Sequence, residues 1–560
     1  MTNGKRVLIV GGVAGGASCA ARARRLDETA TLILFERGPY VSFANCGLPY
    51  YVGRVITREA DLLVATPELF RDRFRIDVRT ASLVEAIDRR RRLIQVRDLS
   101  SGRRYEEAYD ALVLAPGSEP LRPPLAGIDQ EGVFTLWTIP DTRRILSWIE
   151  SRQVRRAVVV GGGFIGLEMT ENLHRLGIAV TIVEMQEQVM PALDPEMAFF
   201  VHRHLREAGV ALELGSRVSG LAQSAAGRLE VELADDRRLE TDLVILAAGV
   251  RPRTELAAAA GLTIGQRGGI QVDPWMRTSD PCIWAVGDAI EVRDHVTGLP
   301  AMVPLAGPAN RQGRVAAAAI CGRGGIYPPF RGVQATSVCG VLGLTVAATG
   351  VSEKTLRRLD PTATRWPHEK IYIHPDHHAG YYPDAQTLTV KLIFEREGGR
   401  ILGAQALGRQ GVEKRIDVIA AHLQHRGTVF DLEESELCYA PQYGSAKDPV
   451  NLAGMVAANL LRGDAPTVHW TDPARAEALV LDVRTVEEYA AGRVPGAVNI
   501  PLDALRQRLG ELPPDRDIWA YCYVGQRSYV AVRLLAQHGL RAFNLSGGFR
   551  MYQALEEAGS

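Results

Sequence analysis

The chain writes one plan twice. Val7-Leu8-Ile9-Val10 is a short apolar run, followed by the turn Gly11-Gly12-Val13-Ala14-Gly15-Gly16 and by helical composition from Ala17 to Leu26. A second apolar run, Thr31 to Phe35, ends in Glu36. The same order returns at Ala157 to Val160, Gly161-Gly162-Gly163-Phe164-Ile165-Gly166, a helix to Leu176, and a strand Val180 to Val183 that ends in Glu184. Few folds accept this plan. Neighbouring parallel strands need a crossover, and a helical crossover starts with peptide N–H groups free to meet an anion.

The second turn is complete. Gly161 permits the tight bend, Gly163 lets a pyrophosphate approach the backbone, and Gly166 lets helix pack on strand. Glu184, eighteen residues past Gly166, is placed for a ribose 2′-hydroxyl. A carboxylate there repels a 2′-phosphate, so among NAD(P)H cofactors NADH is preferred. The first turn departs from the rule, because Val13 takes the second glycine position; Glu36, twenty residues past Gly16, restores the signal. Two such sites point to a flavin plus a nicotinamide, on two Rossmann-like domains. Trp284-Ala285-Val286-Gly287-Asp288 supports the flavin, since a strand ending there sets the Asp288 carboxylate against a ribityl chain.

The 560 residues predict three or four domain-sized units. Lys+Arg and Asp+Glu are both 65, which gives no basic excess for nucleic acid and no charged tail. Gly332 to Ser352 is uncharged but rich in Gly, Ser and Thr, so strand, turn and strand are expected there rather than a membrane span. Met1 to Lys5 runs straight into the first strand, with no signal-peptide pattern. An Ala-rich helix is expected over Arg314 to Ile320, alternation in Leu388 to Phe394 suggests an antiparallel α+β unit, and Arg462 to Pro466 reads as a linker. Beyond it a compact α/β unit has strands near Leu479–Val483, Ile518–Tyr521 and Ala542–Leu545.

The seven cysteines, 19, 46, 282, 321, 339, 438 and 522, are scattered and form no CxxC pair, which argues against a disulfide framework or a zinc site and for a reducing cytoplasm. His374, His377 and His378 cluster, but no carboxylate or cysteine spacing completes a metal site, and none is expected. Cys46 follows the second strand of the first unit, within reach of a flavin face; a small core cysteine is the plainer alternative. A two-cysteine reductase would carry a partner five residues on, where Tyr51 stands. A single cysteine cycles instead between thiolate and mixed disulfide, persulfide or sulfenic acid, and this calls for a lowered pKa. Cys522 opens Cys522-Tyr523-Val524-Gly525-Gln526-Arg527-Ser528, between a strand and a helix expected over Tyr529 to His538. Converging N–H groups and a helix start favour an anion there. Four residues separate Cys522 from Arg527, one fewer than in a phosphatase cradle, so the ring is tighter and suits sulfur. The other five cysteines are expected to be core or incidental.

The first 455 or so residues resemble the single-cysteine flavin disulfide reductases, most closely the coenzyme A-disulfide reductases. The resemblance rests on Ser42-Phe43-Ala44-Asn45-Cys46-Gly47-Leu48-Pro49-Tyr50 and on Tyr439-Ala440-Pro441-Gln442-Tyr443-Gly444-Ser445-Ala446-Lys447-Asp448-Pro449-Val450-Asn451. The last 85 or so resemble a rhodanese domain through Leu481-Asp482-Val483-Arg484, Val494 to Pro501 and the Cys522 loop. The fusion resembles the NADH-dependent CoA-persulfide reductases. The resemblance implies a homodimer in which Tyr439, Tyr443 and Lys447 face the partner's Cys46. It implies coenzyme A contacts at Arg22, Arg25, Ser42, Asn45 and Lys447, with Asn310 where some relatives carry a histidine, and sulfur handling beside Arg527. Tyr381 and Tyr382 are lesser candidates for proton donation. FAD contacts would be Gly11, Gly12, Val13, Ala14, Gly15, Gly16, Glu36, Arg37, Ala115, Gly117 and Asp288. Gln442, Gly444 and Arg493 depart from the usual residues, proline, serine and histidine respectively.

The expected fold class is therefore α/β. A FAD-binding domain takes residues 1–120 and 252–330, and an NAD(P)H-binding domain takes 121–251. An α+β dimerisation domain spans 331–455, a linker 456–471, and an α/β rhodanese domain 472–560. The expected protein is a cytoplasmic homodimer that binds neither membrane nor nucleic acid. It uses NADH and FAD to reduce CoA persulfide, polysulfide or CoA disulfide. The alternatives are an NADH oxidase or peroxidase cycling through a Cys46 sulfenic acid, a sulfurtransferase with a regulatory flavin part, and a binding or scaffold protein.

Overall fold

The computed structural model describes residues 4–224 and 227–559. Contacts divide the chain into two compact units: one runs to Met185 and again over Gly215–Ala335, the other takes Gln186–Leu214 and everything from Thr336 on.

In the first unit a five-stranded parallel sheet has the order Ile283–Ala285, Ala111–Leu114, Arg6–Val10, Thr31–Phe35, Ile76–Arg79. Val7, Leu8 and Ile9 are all buried, as expected of a strand covered on both faces. The helix after the first glycine turn is Ala14–Leu26, three residues longer at its start than composition suggested. It crosses the helix Ala306–Ile320, itself eight residues longer at its start than the expected Arg314–Ile320. A Cβ on Gly313 would overlap the Gly15 carbonyl oxygen, so the two backbones touch without side chains between them. A second set of parallel strands lies side by side as Ala179–Val183, Arg156–Val160, Leu243–Leu246 and Val133–Phe134.

The second unit holds two five-stranded sheets. The antiparallel one has the order Ser337–Val341, Leu344–Gly350, Ile401–Gly408, Thr389–Glu395, His368–Ile373. Six of the seven residues of Thr389–Glu395 are buried, so the strand is covered on both faces rather than alternating as its sequence suggested. The parallel sheet has the order Thr467–Val468, Ala542–Leu545, Ile518–Tyr521, Leu479–Asp482, Val498–Asn499. Residues 456–461 close the helix Pro449–Leu461, and Thr467–Val468 already pairs with Asn544–Leu545, which leaves Arg462–Pro466 as the irregular stretch.

A buried ion cluster ties the first segment of this unit to its antiparallel sheet. Lys391, fully buried, donates to Asp194 Oδ2 at 2.8 Å, to Glu353 Oε2 at 2.7 Å and to Glu196; Lys370 donates to both oxygens of Glu353. Burial alone would raise the Glu353 carboxyl, but Lys391 and Lys370 outweigh it and hold it well below the usual carboxylate range. Asp194 is likewise depressed against the effect of burial, chiefly by Lys391. Removing one partner of such a cluster strands buried charge, at about 3–5 kcal/mol. Lys391→Met is therefore expected to lower the apparent thermal midpoint of this unit sharply at neutral pH. Both carboxyls are depressed, so their stabilisation is present above ordinary carboxylate pKa values and is lost as pH falls through the folded values. The gap between wild type and variant, read by differential scanning calorimetry, should narrow as pH drops below about 4; a constant gap would refute this account.

Candidate functional site

Both glycine turns carry the geometry of phosphate cradles. Gly11 and Gly161 have φ of +96° and +111°, and a Cβ on either would overlap a carbonyl oxygen of the neighbouring strand end, Ala115 or Ala247. A Cβ on Gly16 or Gly166 would overlap the carbonyl oxygen of the first glycine of its own turn, so helix and turn are in backbone contact. The space a Gly163 Cβ would point into is open to 4 Å. Each turn is braced by the acid that closes the next strand: Gly12 N donates to Glu36 Oε2 at 2.9 Å, and Gly162 N donates to Glu184 Oε2 at 2.7 Å. Val13 is the N-cap of its helix, and Ala14 begins it. Gly117, at φ +69°, also faces open space, and Ala115 N donates to Val10 O. Asp288 accepts from Ser118 Oγ at 2.7 Å, and burial raises its carboxyl above the ordinary value. Burial, then Arg253, lowers the Arg37 guanidinium. Two glycine turns at helix starts, each braced by the acid that ends the next strand, fit the two-dinucleotide pattern expected from the sequence.

Cys46 sits in a single helical turn, Asn45–Gly47, that runs into the helix Leu48–Val52. The residue reaches the surface. Its sulfur is nonetheless partly desolvated, and this raises the thiol, with the carboxylates of Glu168 and Asp288 adding to the shift in that order. The side chains around Cys46 therefore do not themselves supply the lowered pKa, for which the sequence points to a bound flavin and nearby N–H groups. Glu168, on the helix of the second turn (Phe164–Arg175), escaped the sequence reading; its only signal was an acid two residues beyond Gly166. Burial, then Glu171, pushes its carboxyl up to about 7, against a hydrogen bond from Tyr50. Ser42 is buried at φ +48° and its N–H donates to Gly12 O, which joins the cysteine segment to the first turn. Asn45 Nδ2 donates to Trp137 O at 3.3 Å. Arg22 is held by Tyr327, donating to its hydroxyl at 2.8 Å, whereas Arg25 is exposed. Asn310 is exposed, bonds Ser18 and donates to Ala306 O.

In the second unit Tyr439, Tyr443 and Lys447 are exposed on one loop. Tyr381 and Tyr439 share a hydroxyl–hydroxyl hydrogen bond of 2.7 Å, which raises the Tyr381 phenol. Beneath them the buried Arg415, also unforeseen, donates to Asp448 Oδ2 at 2.8 Å and to His377 O at 2.6 Å. It thereby clamps the two tyrosine-bearing loops, which also meet where Ala379 N donates to Gly444 O. Of the three clustered histidines, His374 faces Thr389, and the His377 and His378 rings lie 4.2 Å apart. Cys438 is exposed, not core; Cys282 and Cys321 are half-buried, and Cys19 and Cys339 are buried.

Cys522 is buried at the end of strand Ile518–Tyr521. Its Sγ accepts from Gly525 N at 3.1 Å and faces Ser528 Oγ at 3.7 Å. The helix begins at Gln526, earlier than expected, because Gly525 takes φ +98° and starts it directly beneath the sulfur. Arg527 pairs with Glu488 at two points, 2.7 Å each.

This fold and these turns define a pyridine nucleotide-disulphide oxidoreductase, and the chain belongs to that family. The family profile matches residues 5–313, its dimerisation-domain profile matches 336–448, and a rhodanese-like domain profile matches 467–555. The chain is similar to the coenzyme A disulfide reductase of Staphylococcus epidermidis, 32% identical over 452 residues, covering 81% of this chain and 99% of that one. It is also similar to the crystal structure of reduced Bacillus anthracis CoADR-RHD, with 47% identity, 99% of each chain covered and a TM-score of 0.96. The NAD-dependent persulfide reductase of A. fulgidus is 36% identical over 98% of this chain and 100% of that one, with a TM-score of 0.90. The protein is an enzyme of this type. No helix among the described residues is long and apolar enough to cross a membrane.

Ionised Glu168 opposes a thiolate at Cys46, so Glu168→Gln should lower the pH at which Cys46 becomes reactive. In iodoacetamide alkylation followed against pH, the variant should gain on wild type above about pH 7, where Glu168 is charged, and match it at pH 5.5. Superimposable profiles would show that the two groups are not coupled.

Proposed function

We propose that the enzyme reduces a persulfide or disulfide of a small thiol, with coenzyme A persulfide the best fit, at the expense of NADH. The observation that carries this reading is the pairing, in one chain, of a lone thiol beside two dinucleotide cradles with a second cysteine held in a sulfur-binding loop. The family implies FAD at the first cradle and NAD(P)H at the second; when bound, they supply the two electrons. The Glu184 carboxylate, held on the second turn through Gly162 N, would repel a 2′-phosphate at the ribose, which supports NADH.

Cys46 attacks the substrate sulfur as the thiolate, one S–S bond forms as another breaks, and thiol or hydrosulfide leaves. The two electrons then return Cys46 to the thiolate. For the persulfide the balance is NADH, a proton and CoA persulfide in, and NAD⁺, CoA and hydrogen sulfide out. For the disulfide it is NADH, a proton and CoA disulfide in, and NAD⁺ and two CoA out. Arg22 and Arg25 supply charge for coenzyme A phosphates, and Ser42, Asn45 and Asn310 supply polar contacts on the same unit. The dimerisation-domain match supports a homodimer, in which Tyr439 and Tyr443 hold a proton at the phenol oxygen for the leaving sulfur and Lys447 adds charge. Cys522 accepts or delivers sulfane sulfur, and a coenzyme A carrier exchanges it with Cys46.

The test is anaerobic NADH oxidation with CoA persulfide and CoA disulfide in parallel, sulfide being assayed. Fast turnover of the persulfide with one sulfide per NADH is expected, abolished by Cys46→Ser. Faster turnover of CoA disulfide would make this a thiol-redox enzyme instead. Cys522→Ser should slow turnover on at least one sulfane donor; no change on any of them would remove Cys522 from the pathway.

A further inference from the structure

The helices Ala14–Leu26 and Ala306–Ile320 meet backbone to backbone where Gly313 approaches Gly15. This close contact brings the chain that leaves the second helix beside the last two turns of the first. That chain turns at once. Arg323 N donates to Ala318 O at 2.8 Å, and Ile326 N and Tyr327 N donate to Arg323 O. Further on, Phe330 N donates to Pro274 O at 2.9 Å. Tyr327 stands between these anchors and is followed by Pro328 and Pro329, a pair that stiffens the segment. Half-buried Tyr327 meets Arg22 in two ways. Arg22 Nη2 donates to the phenol oxygen at 2.8 Å, and the guanidinium carbon lies 5.2 Å from the centre of the tyrosine ring. The hydrogen bond takes a single N–H of the fork and leaves its other donors free. No carboxylate among the described residues lies within ion-pairing distance of Arg22. Its neighbour Arg24 is the contrast: buried, it donates to the carbonyl oxygens of Asp27, Glu28, Phe74 and Arg75, as an arginine used for structure does. Arg22 is oriented, yet its charge is unmatched.

We propose that Tyr327 is a positioning residue: it holds Arg22 in the orientation in which the free N–H groups of the guanidinium meet a phosphate of the substrate, and it acts on binding through Arg22 without touching the substrate. The inference rests on the reading that Arg22 contacts a coenzyme A phosphate; what it adds is the residue that prepares the arginine for that contact. A free arginine gives up much of its rotamer freedom when it binds an anion, and one already held by a ring and a hydroxyl gives up less. A phenol suits this task. It accepts from the guanidinium and leaves the charge intact, whereas a carboxylate in the same place would neutralise it.

The experiment uses the full chain with its flavin bound. Anaerobic NADH oxidation is followed with CoA persulfide and with pantetheine persulfide, which has the same reactive end and no phosphate. Tyr327→Leu should lower kcat/KM for CoA persulfide roughly fivefold, which is about 1 kcal/mol, through KM with kcat unchanged. The kcat/KM for pantetheine persulfide should stay where it is. Tyr327→Phe keeps the ring and loses the hydroxyl. It should show a smaller fall of the same kind, and it carries the test if Tyr327→Leu does not fold. On an Arg22→Ala background neither substitution should add anything. An unchanged kcat/KM for CoA persulfide, an equal fall on both persulfides, or the same fall without Arg22 overturns the inference. A separate result is Arg22→Ala affecting both persulfides equally: the reading that Arg22 meets a phosphate then fails first, and this inference fails with it.

Discussion

A carboxylate accepting from the peptide N–H of a glycine turn is the constraint on which the first unit depends. Glu36 holds Gly12, and Glu184 holds Gly162, each from the end of the next parallel strand. The bond sets how far the helix start stands from the sheet, and it does so where the backbone has no room for side chains. Everything that concerns a nucleotide follows from this spacing. The first two N–H groups of each turn are tied to the sheet and to the carboxylate, the remaining N–H groups of the turn lie at the helix start, and Ser42, which donates to Gly12 O, is drawn against the first turn. The segment carrying Cys46 therefore starts from the cradle itself.

Cys46 and Cys522 live in opposite surroundings. Cys46 is partly desolvated and faces the carboxylates Glu168 and Asp288, so the protein's own residues favour its thiol form. Cys522 sits under a peptide N–H and a hydroxyl at a helix start, groups that donate to sulfur. A loop of that kind suits holding a sulfur anion in place.

The second unit is organised by buried cations. Lys391 stands in the middle of the antiparallel sheet and gathers three carboxylates, and Arg415 lies under the tyrosine loops and gathers Asp448 and two carbonyl oxygens. Neither arrangement maximises stability, because buried ions give back in desolvation much of what they gain in attraction. What they provide is position: an ion with several partners at fixed distances allows one arrangement of the segments that supply them. Arg415 does this for the exposed tyrosines, and Glu488 does it on a smaller scale for Arg527.

What the sequence determined by itself was local. Strand, turn and helix after Val10 and after Val160, the acids at 36 and 184, the Cys522 loop and the family could be read from the line of residues, because short-range periodicity and glycine spacing encode them. Helix starts were read too late at Ala14, Ala306 and Gln526, since glycines and small residues at a helix start look like loop until the tertiary contact that needs them is seen. The alternation in Leu388 to Phe394 does not reveal that Thr389–Glu395 is covered on both faces, because period-two alternation cannot report a second layer. Glu168 beside Cys46, Arg415 beneath the tyrosines and Glu488 on Arg527 were invisible, as was the upward shift of the Cys46 thiol. Each depends on groups far apart in the chain: Arg527 and Glu488 are 39 residues apart, and Arg415 and Asp448 are 33 apart. Electrostatics acts through space and burial acts through layers, so only the tertiary structure could decide them.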